Sequence, residues 1–356
     1  MTAAHLDLNL DVVSLAAALI DIPSVSRQET ELADAVAAAL ADKAHLELVR
    51  HGNTVVARTN LGRAERVIVA GHLDTVPVNG NLPSTLRDGR LAGLGAVDMK
   101  SSVAVALRLA AHIAEPVRDV TFIFYDCEEI EASANGLGLL AAARPDLMQA
   151  DLAVVMEPSN GIVEAGCQGT LRAEVRATGV RAHTARAWQG VNAIHGLTDA
   201  LTRLSNYEAR QPIVDGLQYH EGLQAISVRG GVAGNVVPDS AVLTVNHRFA
   251  PDRTAEQAEL FVRGFFADYD VEIVDLAPAA RPGLDRAAAA DFLRATGATA
   301  QPKLGWTDVA RFSALGTPAV NFGAGDPLLA HTAGEWVSAD EVRGVEATMR
   351  TWLAAH

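Results

Sequence analysis

Residues 66–74 read RVIVAGHLD, an apolar run that passes directly into a histidine and an aspartate. The run Arg66–Gly71 has the length and the branched apolar residues of a strand that is buried on both faces. Such strands are typical of sheets that are covered by helices. The stretch therefore predicts an α/β domain in which His72 and Asp74 follow the carboxyl end of a strand, where open α/β sheets usually bind their ligands.

The rest of the first half repeats this pattern, because apolar runs alternate with Ala/Leu-rich helical periodicity. The further strand-like runs are Val120–Tyr125 and Leu152–Met156, and the helical patterns are Asp11–Ile20, Glu29–Ala41 and Ser101–Ala114. We expect a mixed, mostly parallel sheet between helices.

A smaller α+β unit is predicted from about Thr170, where alternating strand-like pieces replace the continuous apolar runs. Those pieces are Leu171–Thr178, Leu223–Val228 and Ala241–Phe249, and helical patterns lie near Asn192–Leu204 and Thr254–Phe266. After the proline-containing stretch Ala277–Gly283, a helix and a strand follow again at Asp308–Ala314 and Ala319–Phe322. We therefore expect residues 1–169 and 281–356 to form one domain and residues 170–280 to be inserted into it.

Composition excludes several classes of partner. The 356 residues carry a net charge of −14, which opposes binding to a phosphate backbone, so no nucleic-acid partner is expected. Ser101–Ala114 is too short to span a bilayer and is interrupted by Arg108 and His112, so no membrane segment is expected. The N-terminal MTAAHLDLNLDVV lacks the basic stretch and apolar core of a secretory signal, which predicts a cytoplasmic location.

Cys127 and Cys167 are the two cysteines of the chain, too few for a disulfide framework or a thiolate zinc site. A metal would therefore be bound by histidines and carboxylates. His72 is a candidate ligand, and Asp74 would then orient its imidazole, although a loop-capping pair explains the same two residues. The loop GLGAVDMK, residues 93–100, delivers Asp98 to the start of a helix, either as its N-cap or as a carboxylate that bridges two metal ions.

Three more segments end in a possible ligand after a predicted strand. Asp126-Cys-Glu128-Glu129 crowds like charges, which favours a bound cation, although a solvated acidic loop is the alternative. Glu157 and His331 each follow another strand, and each alone would be interpreted as a cap or as a packed histidine. Because five strand-to-loop junctions each supply a ligand, we expect a site of two imidazoles and three carboxylates, which suits zinc, manganese or cobalt.

In order along the chain, His72-x-Asp74, the 93–100 loop, the Glu128-Glu129 pair, Glu157-Pro and His331 together resemble the zinc aminoacylase and carboxypeptidase G family of metallopeptidases. The resemblance implies two zinc ions per subunit, with cobalt as a possible substitute. It implies His72 and Glu157 on one zinc, Glu129 and His331 on the other, and Asp98 as the bridge. It also implies that Glu128 is the general base and that Asp74 orients His72.

The inserted unit resembles the family's lid and dimerisation domain through Arg181-Ala-His183-Thr-Ala. The resemblance implies a homodimer in which His183 stabilises the oxyanion in the partner's site, although an exposed histidine at a strand end is the plain alternative. Asn235, Arg248, Thr307 and Arg311 look like the family's substrate-binding positions. Two arginines indicate a small N-acyl amino acid with more than one carboxylate, while a surface role for Arg311 stays open.

Within the family, the segments GLGAVDMKS, RAHTAR and GDPLLAHT most resemble the actinobacterial branch that hydrolyses N-succinyl-LL-2,6-diaminopimelate on the route to lysine. Leu94, Cys127 and Thr184 differ from many relatives, and these differences bear on the substrate and not on the metal site. The alternatives are a sibling enzyme, such as an acetylornithine deacetylase, an aminoacylase or a dipeptidase, and a binding protein that has lost catalysis.

Overall fold

The computed structural model describes residues 5–354, so the first four residues of the acidic N-terminal segment lie outside the described part. The chain packs into two units. The first comprises the residues up to Ala165 together with Gly283–Gln301 and the residues from Thr307 onward, and the second comprises Gly166–Pro282 and Pro302–Trp306.

Both units contain helices and strands. In chain order, the α-helices are α1 (Val12–Ile20), α2 (Thr30–Leu40), α3 (Lys100–His112), α4 (Gly136–Ala143), α5 (Thr198–Ser205), α6 (Ala255–Phe265), α7 (Ala287–Thr296), α8 (Val309–Ala314) and α9 (Ala339–Leu353). The strands are β1 (Glu47–His51), β2 (Thr54–Arg58), β3 (Arg66–His72), β4 (Thr85–Arg87), β5 (Arg90–Ala92), β6 (Asp119–Tyr125), β7 (Leu152–Val155), β8 (Glu164–Ala165), β9 (Gly169–Thr178), β10 (Ala182–His183), β11 (Ile213–Val214), β12 (Leu217–Gln218), β13 (Gly222–Gly230), β14 (Val236–Val237), β15 (Ser240–Phe249), β16 (Asp270–Ala277), β17 (Gln301–Pro302), β18 (Ala319–Asn321) and β19 (Trp336–Ser338).

The large sheet of the first unit has the strand order β1-β2-β6-β3-β7-β18-β8-β17. Its four central strands, β6, β3, β7 and β18, are mutually parallel, whereas β2 and β8 run antiparallel to them. His72 pairs with Tyr125 at the end of β3 and β6, and Asn321 pairs with Val155 at the end of β18 and β7. The carboxyl ends of the four parallel strands therefore lie at one edge of the sheet.

The central strands form because most of their residues are apolar. Every residue of β6 and β7 is buried, as is every residue of β3 after Arg66. Helix α3 packs against β3 and β6, and α8 packs against β7 and β18. Burial on both faces explains why these strands are continuous apolar runs instead of alternating ones.

A small sheet in the first unit has the order β19-β5-β4. In it, Trp336 pairs with Ala92 and Ser338 pairs with Arg90. The pairing joins the chain that follows His331 to the chain that precedes the 93–100 loop, two segments that are far apart in sequence.

The second unit is an α+β structure built on an antiparallel sheet of order β13-β15-β9-β16. Helices α5 and α6 pack against it. Its core contains Leu171, Leu243, Phe249, Val262 and Phe266, which are all fully buried. A capping box at Thr254 and Gln257 begins α6.

The predicted fold class is confirmed, with the parallel part of the sheet limited to its four central strands. Sequence periodicity did not find β1 or β16, which are half-exposed strands at a sheet edge, or β2, a mostly buried strand next to β1. Within residues 5–354, no helix has both the length and the apolar character needed to cross a membrane.

Candidate metal centre

Five predicted ligands meet at the carboxyl edge of the large sheet. His72 is the last residue of β3, Glu129 lies in the loop after β6, and Glu157 lies two residues after β7. His331 lies in the loop that follows β18, and Asp98 precedes α3. Because parallel strands end at the same edge, the topology brings together side chains that are up to 259 residues apart in sequence (His72 to His331).

The ligands form two groups that share one aspartate. His72, Asp98 and Glu157 offer one ligand atom each within 4.8 Å of one another, and so do Asp98, Glu129 and His331. The Nε2 of His72 lies 2.9 Å from Oδ1 of Asp98, and the Nε2 of His331 lies 3.3 Å from Oδ2 of the same carboxylate. Asp98 therefore turns one oxygen toward each group.

Each group also has its own carboxylate. The Nε2 of His331 lies 2.8 Å from Oε1 of Glu129, and the Nε2 of His72 lies 4.0 Å from Oε1 of Glu157. His72 and Glu157 are buried, whereas His331 is exposed. The group that contains His331 is thus the more open of the two.

The charges of the two groups are strongly coupled. Hydrogen bonds to Asp98 and Glu129 raise the pKa of His331 to about 10. Burial acts to lower the pKa of His72, but hydrogen bonds to Asp74 and Asp98 outweigh it and raise that pKa well above its usual value. For Asp98, burial acts to raise the pKa, and hydrogen bonds from His331 and His72 lower it overall. The carboxylates thus attract positive charge to this place.

The donor set fits a pair of divalent cations. Three carboxylates and two imidazoles are the hard and borderline ligands that zinc, cobalt and manganese accept. Each group supplies three ligands, and a cation in either place would take over the positive charge of the protonated imidazoles. The residues that would hold one ion are His72, Asp98 and Glu157, and those that would hold the other are Asp98, Glu129 and His331.

Asp74 connects two sides of the centre. The Nδ1 of His72 lies 3.0 Å from the backbone carbonyl oxygen of Asp74 and 3.4 Å from its Oδ1. The same carboxylate accepts hydrogen bonds from the backbone N–H groups of Glu128 at 2.9 Å and Glu129 at 3.1 Å, and from the hydroxyl of Ser26 at 2.8 Å. Asp74 therefore fixes the imidazole of His72 and the backbone of the Glu128-Glu129 pair, which is more than a local capping role.

Glu128 lies among other acids. Burial and then the negative charge of Glu157 raise the pKa of its carboxyl well above the usual value. Such a group holds and releases a proton more readily near neutral pH than an exposed glutamate does. The structure thus gives Glu128 the environment that a proton carrier needs.

One of the ligands and one residue close to them in the sequence have positive φ angles. Cys127 has a φ of 57° and His331 has a φ of 61°, both in the left-handed region that side-chain-bearing residues seldom adopt. Strain of this kind is held in place by surrounding contacts and is concentrated at functional sites.

The helix-cap interpretation of Asp98 is wrong. Helix α3 begins at Lys100, and its N-cap is Met99, which makes no side-chain cap hydrogen bond. The carboxylate of Asp98 is instead directed at the two imidazoles. Its position one residue before the cap leaves its side chain available to the metal groups.

A third cluster of possible ligands consists of Glu29, Asp126 and Cys127. Oε1 of Glu29 accepts hydrogen bonds from the backbone N–H of Arg27 at 2.8 Å and from the backbone N–H and the thiol of Cys127 at 3.2 and 3.3 Å. Burial and then the charge of Glu29 raise the pKa of the thiol to about 12. The surroundings of Cys127 therefore favour the neutral thiol over the thiolate that binds metals.

The second unit brings His183 and Asn235 together. Strands β10 and β14 pair His183 with Val236, and the backbone carbonyl of Asn235 accepts a hydrogen bond of 3.0 Å from the N–H of Thr184. Both side chains are exposed. The Nδ1 of His183 accepts a hydrogen bond of 3.0 Å from the N–H of Ala185, so in the neutral imidazole the proton is on Nε2.

Arg248 lies near the end of β15, where it pairs with Gly222 on one side and Thr170 on the other. Its side chain is half-buried, and burial lowers the pKa of its guanidinium. No carboxylate in the described part of the second unit forms an ion pair with it within 4.0 Å, a condition that favours a carboxylate ligand.

Thr307 and Arg311 are engaged in contacts inside the first unit. Thr307 is buried, and its hydroxyl donates to Oδ1 of Asn321 at 2.9 Å. The guanidinium of Arg311 forms an ion pair with the fully buried Asp308, three residues earlier, and lies against Gly138. Arg311 thus forms an ion pair inside the first unit, and its predicted contact with substrate stays a prediction. The i, i+3 spacing of Asp308 and Arg311 was the signal for this ion pair in the sequence.

Sequence reasoning assigned no role to three residues that hold the ligands in place. They are Ser26, which donates to Asp74; Lys100, whose Nζ donates to the carbonyls of Leu19 and Ile22; and Glu335, which accepts from the 93–98 loop. Lys100 and Glu335 stand inside motifs in which other residues were the predicted ligands. Their contacts depend on tertiary structure, which the sequence alone did not give.

Comparison with known proteins identifies the family of the chain. Residues 68–355 match the profile of peptidase family M20/M25/M40. The chain belongs to this family. The family predicted from the motifs is thereby confirmed.

Two relatives match over nearly their whole length. The chain is 53% identical to the protein DapE of Mycobacterium tuberculosis, over 98% of this chain and 99% of the relative. It is 44% identical to the succinyl-diaminopimelate desuccinylase of Corynebacterium glutamicum, over 98% of both. Among solved structures, a dinuclear metal binding peptidase of the M20 family from Bacillus subtilis superposes with a TM-score of 0.67, at 17% identity and over 96% of both chains. At that identity the likeness shows the shared fold.

Proposed function

We propose that this chain is a metal-dependent amidohydrolase that cleaves N-succinyl-LL-2,6-diaminopimelate into succinate and LL-2,6-diaminopimelate, a step in lysine biosynthesis. The observation that carries the proposal is the pair of three-residue ligand groups that share Asp98, with the half-buried Glu128 next to the ligand Glu129. The identity of 44% with a succinyl-diaminopimelate desuccinylase over nearly the whole length supports the reaction and the substrate.

The two groups are proposed to hold two zinc ions, with cobalt as a substitute. His72 and Glu157 would hold one ion, Glu129 and His331 the other, and Asp98 both. When bound, the ions would polarise the amide carbonyl and make the attacking water more acidic. The hydrogen bond between Nδ1 of His72 and Asp74 leaves Nε2 as the ligand atom.

Glu128 is proposed as the general base. Its carboxylate takes a proton from the attacking water, and the resulting carboxylic acid then gives that proton to the departing amine. The raised pKa suits both steps, because the group has to accept and release the proton within one turnover. Asp74 supports this role by holding the backbone N–H of Glu128, which fixes where the side chain begins.

His183 is proposed to stabilise the negative oxygen that develops on the cleaved carbonyl, in the site of a partner chain. The N–H of Ala185 occupies Nδ1, so the outward-facing Nε2 carries the proton and is a donor without any change of tautomer. A donor that is already oriented stabilises developing charge effectively.

Asn235 and Arg248 are proposed to bind the substrate. Asn235 is exposed beside His183, and Arg248 offers a partly desolvated guanidinium to a carboxylate. The substrate has several carboxylates, and guanidinium groups bind such groups through two parallel hydrogen bonds. Thr307 and Arg311 are also proposed to bind the substrate. The hydrogen bond of Thr307 to Asn321 and the ion pair of Arg311 with Asp308 would hold both side chains in a fixed orientation.

A homodimer is proposed, with the second unit as its interface. Strand β13 lies at the edge of its sheet, and residues 224–230 are all exposed. Ile226 and Val228 on this strand and Trp188 of the same unit are large apolar side chains in contact with solvent. An exposed edge strand with apolar side chains is suited to pairing with a second chain. Light scattering should give the mass of two chains, and the mass of one chain would refute the dimer.

A cytoplasmic location is also proposed. The chain contains two cysteines, too few for a disulfide framework, which is compatible with a reducing compartment.

The experiment that tests the reaction compares substrates. Purified protein with zinc or cobalt is offered N-succinyl-LL-2,6-diaminopimelate, N-acetylornithine and simple dipeptides, and kcat/KM is measured for each. We expect a clear preference for the succinyl substrate. A higher kcat/KM for N-acetylornithine would identify a deacetylase, one for a dipeptide would identify a peptidase, and no turnover of any of them would support a binding protein.

A further inference from the structure

One buried carboxylate holds the backbone of the loop that carries Asp98. Oε2 of Glu335 accepts a hydrogen bond of 3.1 Å from the N–H of Gly95, and Oε1 accepts bonds of 2.8 and 3.1 Å from the N–H groups of Val97 and Asp98. Glu335 is 2% exposed. Three backbone donors of one short loop thus converge on a single side chain, and one of them belongs to Asp98 itself.

Glu335 is itself fixed by the small sheet. It directly precedes β19, which pairs with β5, and its backbone carbonyl accepts a hydrogen bond of 3.2 Å from the N–H of Gly93. The start of the 93–98 loop and the position of Glu335 are therefore set by the same strand pair. His331 lies four residues before Glu335, so this contact also connects the two loops that carry Asp98 and His331.

The far end of the loop is anchored by Lys100. Its buried Nζ donates to the carbonyl of Leu19 at 3.1 Å and to that of Ile22 at 2.7 Å, at the end of α1. Between the two anchors, Gly95 has a φ of +80°, and a Cβ there would lie 3.0 Å from Cγ2 of Thr75. The loop is held at both ends and has little room to shift.

From this geometry we propose that Glu335 is a positioning residue for the metal centre: it fixes the backbone of Asp98 so that one carboxylate oxygen faces His72 and the other faces His331. The inference rests on the proposed function in so far as Asp98 is a bridging ligand. In this inference, Glu335 contacts neither substrate nor metal and acts only through the 93–98 loop.

The physical reason is the directionality of the three hydrogen bonds. A carboxylate accepts with both oxygens, whereas a glutamine at this position would turn an N–H group toward one of the backbone donors. A buried donor that loses its acceptor costs free energy, so the loop would move to find water or another partner. Movement of the Asp98 backbone changes both ligand groups at once, because Asp98 belongs to both.

The test uses Glu335→Gln and Glu335→Asp, with Asp119→Asn as the matched control. Asp119 is also a buried carboxylate that accepts from backbone donors, the N–H groups of Leu61 at 2.8 Å and Arg63 at 3.0 Å, but it begins β6, at the opposite end of that strand from the metal groups. Folding of each variant is checked by circular dichroism and thermal unfolding. Zinc affinity is then measured by competition between the zinc-loaded protein and a chromogenic chelator, and kcat and KM are measured with saturating zinc.

We expect folded Glu335→Gln to bind zinc about 10- to 100-fold more weakly than wild type and to have a lower kcat, the loss typical when a residue that orients a metal ligand is changed. Asp119→Asn should lose thermal stability and keep the wild-type zinc affinity. Glu335→Asp keeps the charge but is shorter by one methylene, so it should give a smaller loss of affinity. It serves as the test variant if Glu335→Gln does not fold.

Wild-type zinc affinity in either folded Glu335 variant would overturn the inference, as would an equal loss of affinity in Asp119→Asn. The proposed substrate is tested separately. If wild type binds zinc but does not cleave the succinyl compound, the proposed substrate is wrong, while a weakened zinc affinity in Glu335→Gln still supports the positioning role.

Discussion

The two units differ in how they hold their candidate functional residues. In the first unit, His72, Asp74, Asp98 and Glu129 are connected to one another through hydrogen bonds, and buried residues such as Glu335 and Lys100 hold the loops that carry them. In the second unit, His183 and Asn235 are exposed, and the contacts of the His183 side chain are local. The difference indicates a preorganised set of ligands in the first unit. Under the proposed function, the groups of the second unit would act only when a substrate and a partner chain are present.

Replacement of Glu128 should remove most of the catalytic activity while leaving the two groups of metal ligands intact. We expect Glu128→Gln to lower kcat by about 10²- to 10⁴-fold, the usual contribution of a general base, with two metal ions still bound. Metal content and turnover are measured on the same sample. Glu131→Gln is the control, because Glu131 is an exposed acid three residues later that pairs with Arg27. Wild-type turnover in Glu128→Gln would refute the assignment of the base.

Removal of His183 should affect turnover alone, because the side chain makes no hydrogen bond within the described part of the chain besides the one from Ala185. We expect His183→Ala to lower kcat by about 10²- to 10³-fold, as for loss of an oxyanion donor, with metal content and dimer mass unchanged. His195→Ala is the control, an exposed histidine of the same unit. Loss of metal in His183→Ala would contradict the assignment of metal binding to residues of the first unit alone.

Arg248 tests whether the second unit also selects the substrate. We expect Arg248→Met to lower kcat/KM for the succinyl substrate by roughly 10- to 100-fold, mainly through KM, because an ion-paired hydrogen bond to a carboxylate is lost. Arg172→Met on the adjacent strand is the control, since Arg172 has an acid partner in Asp275. An unchanged KM in steady-state kinetics would remove Arg248 from the binding site.

Acid should lower the conformational stability of the second unit because a histidine is buried in its core. His247 is fully buried on β15, and burial lowers its pKa to about 4, below the ordinary value of 6.5. A depressed histidine pKa means that the unfolded chain binds the extra proton, so stability is complete above about pH 6.5 and decreases as the pH falls toward 4. At pH 5 the loss is of the order of 2 kcal/mol.

Urea unfolding at pH 7 and pH 5 measures this effect. His247→Phe, which suits the neighbouring rings of Phe249 and Phe261, should show a smaller difference between the two pH values than wild type. An equal pH dependence in the two proteins would show that another group controls acid stability.

The sequence predicted the parts of the fold and site that depend on local pattern. Arg66–Gly71 has the apolar run of a covered strand, and the acid or histidine that follows each such strand could be expected at one sheet edge. The prediction that Asp98 pairs with both His72 and His331 came from family resemblance. The spacing of these residues along the chain could not predict it.

The contacts that sequence reasoning did not find are those between distant segments. Glu335 holds the 93–98 loop because β5 and β19 pair across more than 240 residues, and no local pattern encodes such a pairing. The ion pair of Arg311 with the buried Asp308 was likewise not found from the sequence, and the assignment of Arg311 to substrate stays a prediction from resemblance. Local sequence could not separate Asp98 as a helix cap from Asp98 as a ligand, because the two roles differ by one residue in the start of α3.

The most direct test of the central claim is anomalous diffraction at the zinc edge from crystals of the zinc-loaded protein. We expect two zinc peaks per chain, one among His72, Asp98 and Glu157 and one among Asp98, Glu129 and His331. Peaks absent from these two places, or a peak among Glu29, Asp126 and Cys127 in their stead, would contradict this expectation.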